Sequence, residues 1–429
     1  MRSINCLTIV CSAALWAGSA QGQDWPQWRG SGRDGKASGF EAPKTWPKEV
    51  TKKWKVTVGE GVATPALVGD KLFVFARADG GEIARCLEAG TGKELWKDKY
   101  DSLGASGPAS GFSGPRSSPT VADGKVVTLG IRDVLSCLDA ADGKLLWRKD
   151  DFKGATPRFY TSSSPLVVDG LCITEAGGGD AGGVVAYVLA DGKEKWKWTG
   201  DAPSYSSPML MTVGGSKVVI AMTDTRLVAL NVADGKAMWE TPFAVQGRGY
   251  NAATPIVDGA TLIYSGSGRG ATAVKLEKKD SGLAATELWK NTDNSVMFNS
   301  PVLKNGLLFG FSAGNDFFCV KTSDGKTAWT APSASAASGT PGDSGGGGGG
   351  RRMGGGMGRG GFGSIVDAGS VLVALSPAME LIAFEPTDKA YTEVARIKVA
   401  ETPTYAYPVL AGDRLFIKDQ DSVALYTLK

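Results

Sequence analysis

Thr120-Val121-Ala122-Asp123-Gly124-Lys125-Val126-Val127-Thr128-Leu129-Gly130 is the stretch on which the fold turns. Val134 to Asp139, then Asp142-Gly143-Lys144 and Leu145-Leu146-Trp147, complete it. Its runs are short, apolar and β-branched, and Asp-Gly pairs separate them. Asp-Gly favours a tight hairpin, because glycine accepts the positive φ that the turn requires. The stretch therefore predicts four antiparallel strands, A to D. Helical periodicity is missing.

The same unit recurs on both sides. A Ser/Thr-Pro pair stands at Thr64-Pro65, Ser118-Pro119, Ser164-Pro165, Ser207-Pro208, Thr254-Pro255 and Ser300-Pro301. Each is followed by a tryptophan: Trp96, Trp147, Trp196, Trp239, Trp289 and Trp329. Proline-to-tryptophan separations are 31, 28, 31, 31, 34 and 28 residues, whereas tryptophan-to-proline separations are 23, 18, 12, 16 and 12. Constant units joined by variable connectors place the loops on one face. Two further units are degenerate. Residues 365–399 carry Ile397 near the tryptophan slot, and residues 407–426 supply only three strands. The run at 53–56, with Trp54, has no unit of its own and would complete the last one. The reading is an all-β, eight-bladed β-propeller of four-stranded antiparallel blades, its ring closed by an N-terminal strand. Seven blades is the alternative count.

Composition sets wide bounds. The 429 residues carry a net charge of +3, which demands neither nucleic acid nor membrane as partner. Residues 1–20 read as a cleaved signal peptide, with Arg2, an apolar run from Cys6 and small residues at Gly18-Ser19-Ala20. Val10 before Cys11 argues against a lipid anchor. No later run is long enough to span a bilayer. A periplasmic or secreted monomer is expected, with an N-terminal extension at 21–52 and the propeller at 53–429. There is no histidine, which removes His-based triads and His-ligated metals. Of the later cysteines, Cys86, Cys137 and Cys319 each precede a tryptophan by ten residues, where Ala186 and Ala229 stand in other units. That slot, like Cys172, predicts free buried thiols, because equivalent points on neighbouring blades lie too far apart to bridge.

The pattern Ala140-Ala141-Asp142-Gly143-Lys144-Leu145-Leu146-Trp147 resembles the tryptophan-docking repeat of pyrroloquinoline quinone (PQQ)-type propellers. The opening Asp24-Trp25-Pro26-Gln27-Trp28-Arg29-Gly30 also looks like the start of exported members. That family includes quinoprotein dehydrogenases, which bind PQQ and calcium, and non-catalytic, BamB-like propellers. The resemblance makes Trp54, Trp96, Trp147, Trp196, Trp239, Trp289 and Trp329 structural docking residues. The dehydrogenase branch implies adjacent cysteines and a floor tryptophan. No two cysteines are adjacent, and beyond the N-terminal extension, which holds Trp25, Trp28 and Trp46, the one spare tryptophan, Trp198, follows a docking residue. Glu175 stands where a calcium ligand could lie, but reads as an exposed loop acid.

The residues before each Ser/Thr-Pro should stand at the channel mouth. They are Arg116, Tyr160, Tyr205, Tyr250, Asn251, Phe298, Asn299 and Tyr405, with Arg158 and Arg248 nearby. An aromatic, Arg-bearing concave mouth suits binding; plugging the channel is the other reading. The Gly-rich tract at 331–363, with Arg351, Arg352 and Arg359, reads as a disordered insertion. The expected function is a non-catalytic scaffold for a protein or envelope component, without cofactor, metal or nucleic acid. A PQQ- and calcium-dependent oxidoreductase is the alternative, and a small-molecule or glycan binder a third.

Overall fold

The computed structural model describes residues 24–245, 249–333 and 362–428. The expected signal peptide, Arg248, and the insertion's arginines lie outside them. The described strands, β1 to β32 in chain order, form eight four-stranded antiparallel sheets. Seven blades are local meanders at residues 66–101, 120–149, 166–198, 209–242, 256–291, 302–332 and 364–398. The eighth joins β30 (Val409–Ala411), β31 (Arg414–Lys418) and β32 (Ser422–Thr427) to β1 (Thr51–Thr57). In that closure Trp54 faces Leu425, after a register shift between Lys52 and Trp54. The strand that ends blade 6, β25 (Thr327–Pro332), runs into the tract read as insertion, pairing Ala331 with Phe317.

Two repeated devices explain the motifs. The first is the tryptophan. Cys86 pairs with Trp96, Cys137 with Trp147, Ala186 with Trp196, Ala229 with Trp239, Ala273 with Trp289 and Cys319 with Trp329. Each of these small partners is fully buried, and the four described cysteines are free. Burial pushes the Cys86 thiol up to about 11 and Cys137 up to about 12. Each indole then reaches the next blade. Trp54 donates to Ala89 O at 3.1 Å, Trp147 to Leu189 O at 2.9 Å, and Trp196 to Val232 O at 2.9 Å. The ring covers the next blade's turn glycine. A Cβ on Gly143, whose φ is 77°, would stand 2.5 Å from Trp96. Glycine is thus needed there twice, for the turn and for the approach of the indole.

Blades 5 and 7 depart from the pattern. In blade 5 a longer hairpin, β20 (Ala271–Lys279) and β21 (Gly282–Asn291), replaces the Asp-Gly-Lys turn. It lays Leu283 into the cluster around Met238 and Trp239. In blade 7, Ala395 rather than Ile397 occupies the tryptophan position, opposite Ala383. Ile397 pairs with Leu381 and is buried.

The second device is a series of hydrogen bonds that links six neighbouring blade pairs around the channel. The amide of Thr64 donates to the Ser118 hydroxyl, Ser118 to Ser164, Ser164 to Ser207, Ser207 to Thr254 and Thr254 to Ser300, all at 2.9–3.0 Å. Tyr407 N donates back to the Thr64 hydroxyl at 3.0 Å. A hydroxyl is needed at each point to satisfy a buried amide of the neighbouring blade. The following proline has no N–H to leave unsatisfied at the start of strand A.

The N-terminal extension enters the channel from the end where strands A and B turn. Trp25 bridges Leu67, Asp24 Oδ1 accepts from Gly69 N at 2.9 Å, and Val121 N donates to Pro26 O at 2.7 Å. The segment then crosses to blade 7, where Ala37 N donates to Asp367 O at 2.9 Å.

Candidate binding face at the channel mouth

The connectors from strand D to the next strand A gather at the opposite end of the channel. They bring aromatic side chains into one closed circuit. Tyr205 and Tyr250 have ring centroids 5.2 Å apart, Tyr250 and Phe298 5.7 Å, Phe298 and Phe362 4.3 Å. Phe362 then meets Tyr405 at 5.3 Å, and Tyr405 meets Phe112 edge-on at 5.0 Å. Phe159 lies on Tyr250 at 5.1 Å. Arg116 completes the circuit, donating to Phe112 O at 3.0 Å and to Phe159 O. Burial lowers the Arg116 pKa, while nearby Tyr205 and Tyr160 work the other way. These residues are half-buried, so ring faces and edges still meet solvent.

Arg116, Tyr205, Tyr250, Phe298 and Tyr405 thus come together as the sequence suggested. The other three do different work. Tyr160 is buried against Ile131, and its hydroxyl accepts from Ser106 N at 3.1 Å. Asn251 is buried and donates to Thr223 O at 2.9 Å, while its Oδ1 accepts from Arg269 at 2.7 Å. Asn299 is buried and donates to Phe311 O at 2.8 Å. Both amides strap connectors to strand ends. Phe112, Phe159 and Phe362 escape a reading of the sequence. They stand in the longest connectors, away from the Ser/Thr-Pro register, and Phe362 ends the Gly-rich tract. Exposed Arg158 lies over Phe159 at 5.4 Å.

Glu175 is not the exposed loop acid expected. It closes β11 (Leu171–Ala176) at 1% exposure and accepts from Ser204 N and Ser206 Oγ, each at 3.3 Å. Burial pushes its carboxyl up to about 8. The three glycines that follow this strand end give it the look of a loop in the sequence. Two other buried acids do the same at the preceding blades. Glu82 accepts from Ile131 N at 3.0 Å, and Asp133 accepts from Thr161 Oγ1. Burial raises Glu82 and pushes Asp133 up to about 7. Each acid takes its hydrogen bond from the next blade or its connector. Lys418 holds the same strand-B position in blade 8 that Glu175 holds in blade 3. It donates to Gly59 O at 3.2 Å, Gly61 O at 3.0 Å and Asp419 O at 2.8 Å, tying the loop after β1 to the last blade. Burial brings it down to about 8. Among the described residues no group of three or more Asp, Glu, Cys or His is placed to hold a metal ion, and no helix is long and apolar enough to cross a membrane.

Similar proteins fall on both branches of the resemblance. The chain is 30% identical over 200 residues to the outer membrane protein assembly factor BamB of Burkholderia pseudomallei, covering 45% of this chain and 46% of that protein. It therefore spans less than half the length of that relative. The BamB structure from Moraxella catarrhalis superposes with a TM-score of 0.61 at 13% identity, over 89% of this chain and 98% of that one. The quinohemoprotein alcohol dehydrogenase of Comamonas testosteroni superposes at 0.64 and 13% identity, over 96% and 81%. At such identity both structures establish the fold alone. The family model of the outer membrane protein assembly factor BamB matches residues 79–331, more than half of the chain, and the chain belongs to that family.

Proposed function

We propose that the protein is an exported, non-catalytic propeller that binds an envelope protein at its channel mouth. The observation that carries this reading is the filling of the channel by the chain itself. Residues 24–37 occupy one end, and the aromatic circuit roofs the other. The residues present do not fit PQQ with calcium. Glu175, the acid that the sequence offers as an ion ligand, is buried and engaged by Ser204 and Ser206. The relatives named for outer membrane protein assembly support a protein partner. Half-buried tyrosine and phenylalanine with an arginine are the residue types that anchor protein interfaces.

A photo-crosslinking residue at Tyr250 should capture a discrete envelope protein. The same residue at Lys236, on the turn face, should not. Tyr205→Ala with Tyr250→Ala should abolish the adduct formed from Phe298 while leaving the melting temperature nearly unchanged. Equal capture from both faces would contradict the proposal.

A further inference from the structure

Arg29 and Arg33 lie in the channel between the turn face and the aromatic roof, at 1% and 2% exposure. Every hydrogen-bond acceptor of their guanidiniums among the described residues is neutral. Arg29 Nη2 donates to Pro301 O at 2.6 Å and to Asp34 O at 3.1 Å. Arg33 donates from Nη1 to Pro165 O at 2.9 Å and Gln27 Oε1 at 3.2 Å, and from Nη2 to Ser164 O at 2.9 Å. The acid of the same segment, Asp34, is turned outward to Lys36 at 3.3 Å. Both guanidiniums stack on one indole, Trp28, at 5.5 and 5.6 Å.

Two buried cations side by side, facing only neutral dipoles, are costly, because burial strips their hydration and they repel each other. Burial first, and the Arg29 charge second, bring Arg33 down to about 9. Carbonyl oxygens offset part of this, but they carry no net charge. Not every donor is engaged: neither Arg29 Nε nor Arg33 Nε has a partner among the described residues. Unpaired buried donors on two adjacent cations are the makings of an anion site.

We propose that the channel holds one halide-sized inorganic anion, bound by the Nε–H groups of Arg29 and Arg33 beside Trp28. The two Nε–H groups suit a monatomic ion. The 1% and 2% exposure of the two side chains favours the smallest anions. The ion would lock the N-terminal segment to blades 3 and 6, whose carbonyls hold the other guanidinium nitrogens. This site is separate from whatever the mouth binds.

Wild-type crystals grown in sodium bromide test it by anomalous diffraction. One bromide peak in contact with both Nε atoms is expected. Bromide confined to the surface would overturn the site. In solution, chloride replacing gluconate at equal ionic strength should raise the melting temperature saturably. Arg33→Lys, which keeps the charge and lacks Nε–H in that position, should lose the saturable part. An unchanged chloride response in the variant would contradict the assignment, and if the variant does not fold, the wild-type diffraction decides.

Discussion

The turn glycines meet two demands that substitution separates. Gly124 has φ of 70° and open space where a methyl would stand, whereas Gly143 has φ of 77° and an indole in the way. Gly124→Ala should cost about 1–2 kcal/mol, the penalty of left-handed backbone. Gly143→Ala should cost a further ~1–3 kcal/mol, because Trp96 must shift. Chemical denaturation of the two variants measures the difference; equal losses would mean the indole does not seat on the turn. Glu175 makes a pH prediction. Its folded pKa, about 8, lies above the ordinary value of 4.5. The folded chain therefore keeps a proton that the unfolded chain releases. That stability is full below about 4.5 and is lost as pH rises through about 8. Glu175→Gln should flatten the fall in melting temperature across this window. A parallel curve would show that the carboxyl is not the source. Asp133, pushed up to about 7, contributes to the lower part of the same window.

At the scale of elements, the closing strand joins sequence-distant parts of the chain in one sheet. Removing residues 24–57 should expose the edge of β32 and abolish amide-exchange protection from Ser422 to Thr427. Removing 24–50 alone should leave that protection. Equal protection in both would contradict closure by β1. Closure was legible in the sequence because a strand without a unit and a unit without a strand were both visible. Blade periodicity was legible for the same reason: one turn and one docking residue recur. Blade 7 was less so. Without a tryptophan to fix its register, Ile397 looked like the nearest bulky residue, yet the bulge between Ala383 and Phe384 puts Ala395 in the slot. The buried acids were illegible, since nothing in the residues around Glu175 announces that Ser204 and Ser206, from the next connector, will cover it.

For the whole molecule, the mouth was legible in part. Register from the Ser/Thr-Pro pairs located Arg116, Tyr205, Tyr250, Phe298 and Tyr405, because those residues sit a fixed short distance before strand A. It could not tell that Asn251 and Asn299 turn inward to satisfy backbone groups. It could not find Phe112 or Phe159, which long connectors fold back to the rim. Nor could it show that the opening Trp25 to Arg33 segment fills the channel, since that depends on carbonyls from blades far apart in the chain. We propose that this channel, occupied by the protein's own side chains, serves as a platform and not as a cofactor pocket. Titration of the purified protein with PQQ and calcium, followed by absorbance after desalting, tests it most directly. No quinone should be retained, and no dye-linked alcohol oxidation should appear. Retention of one PQQ per chain, with such activity, would contradict it.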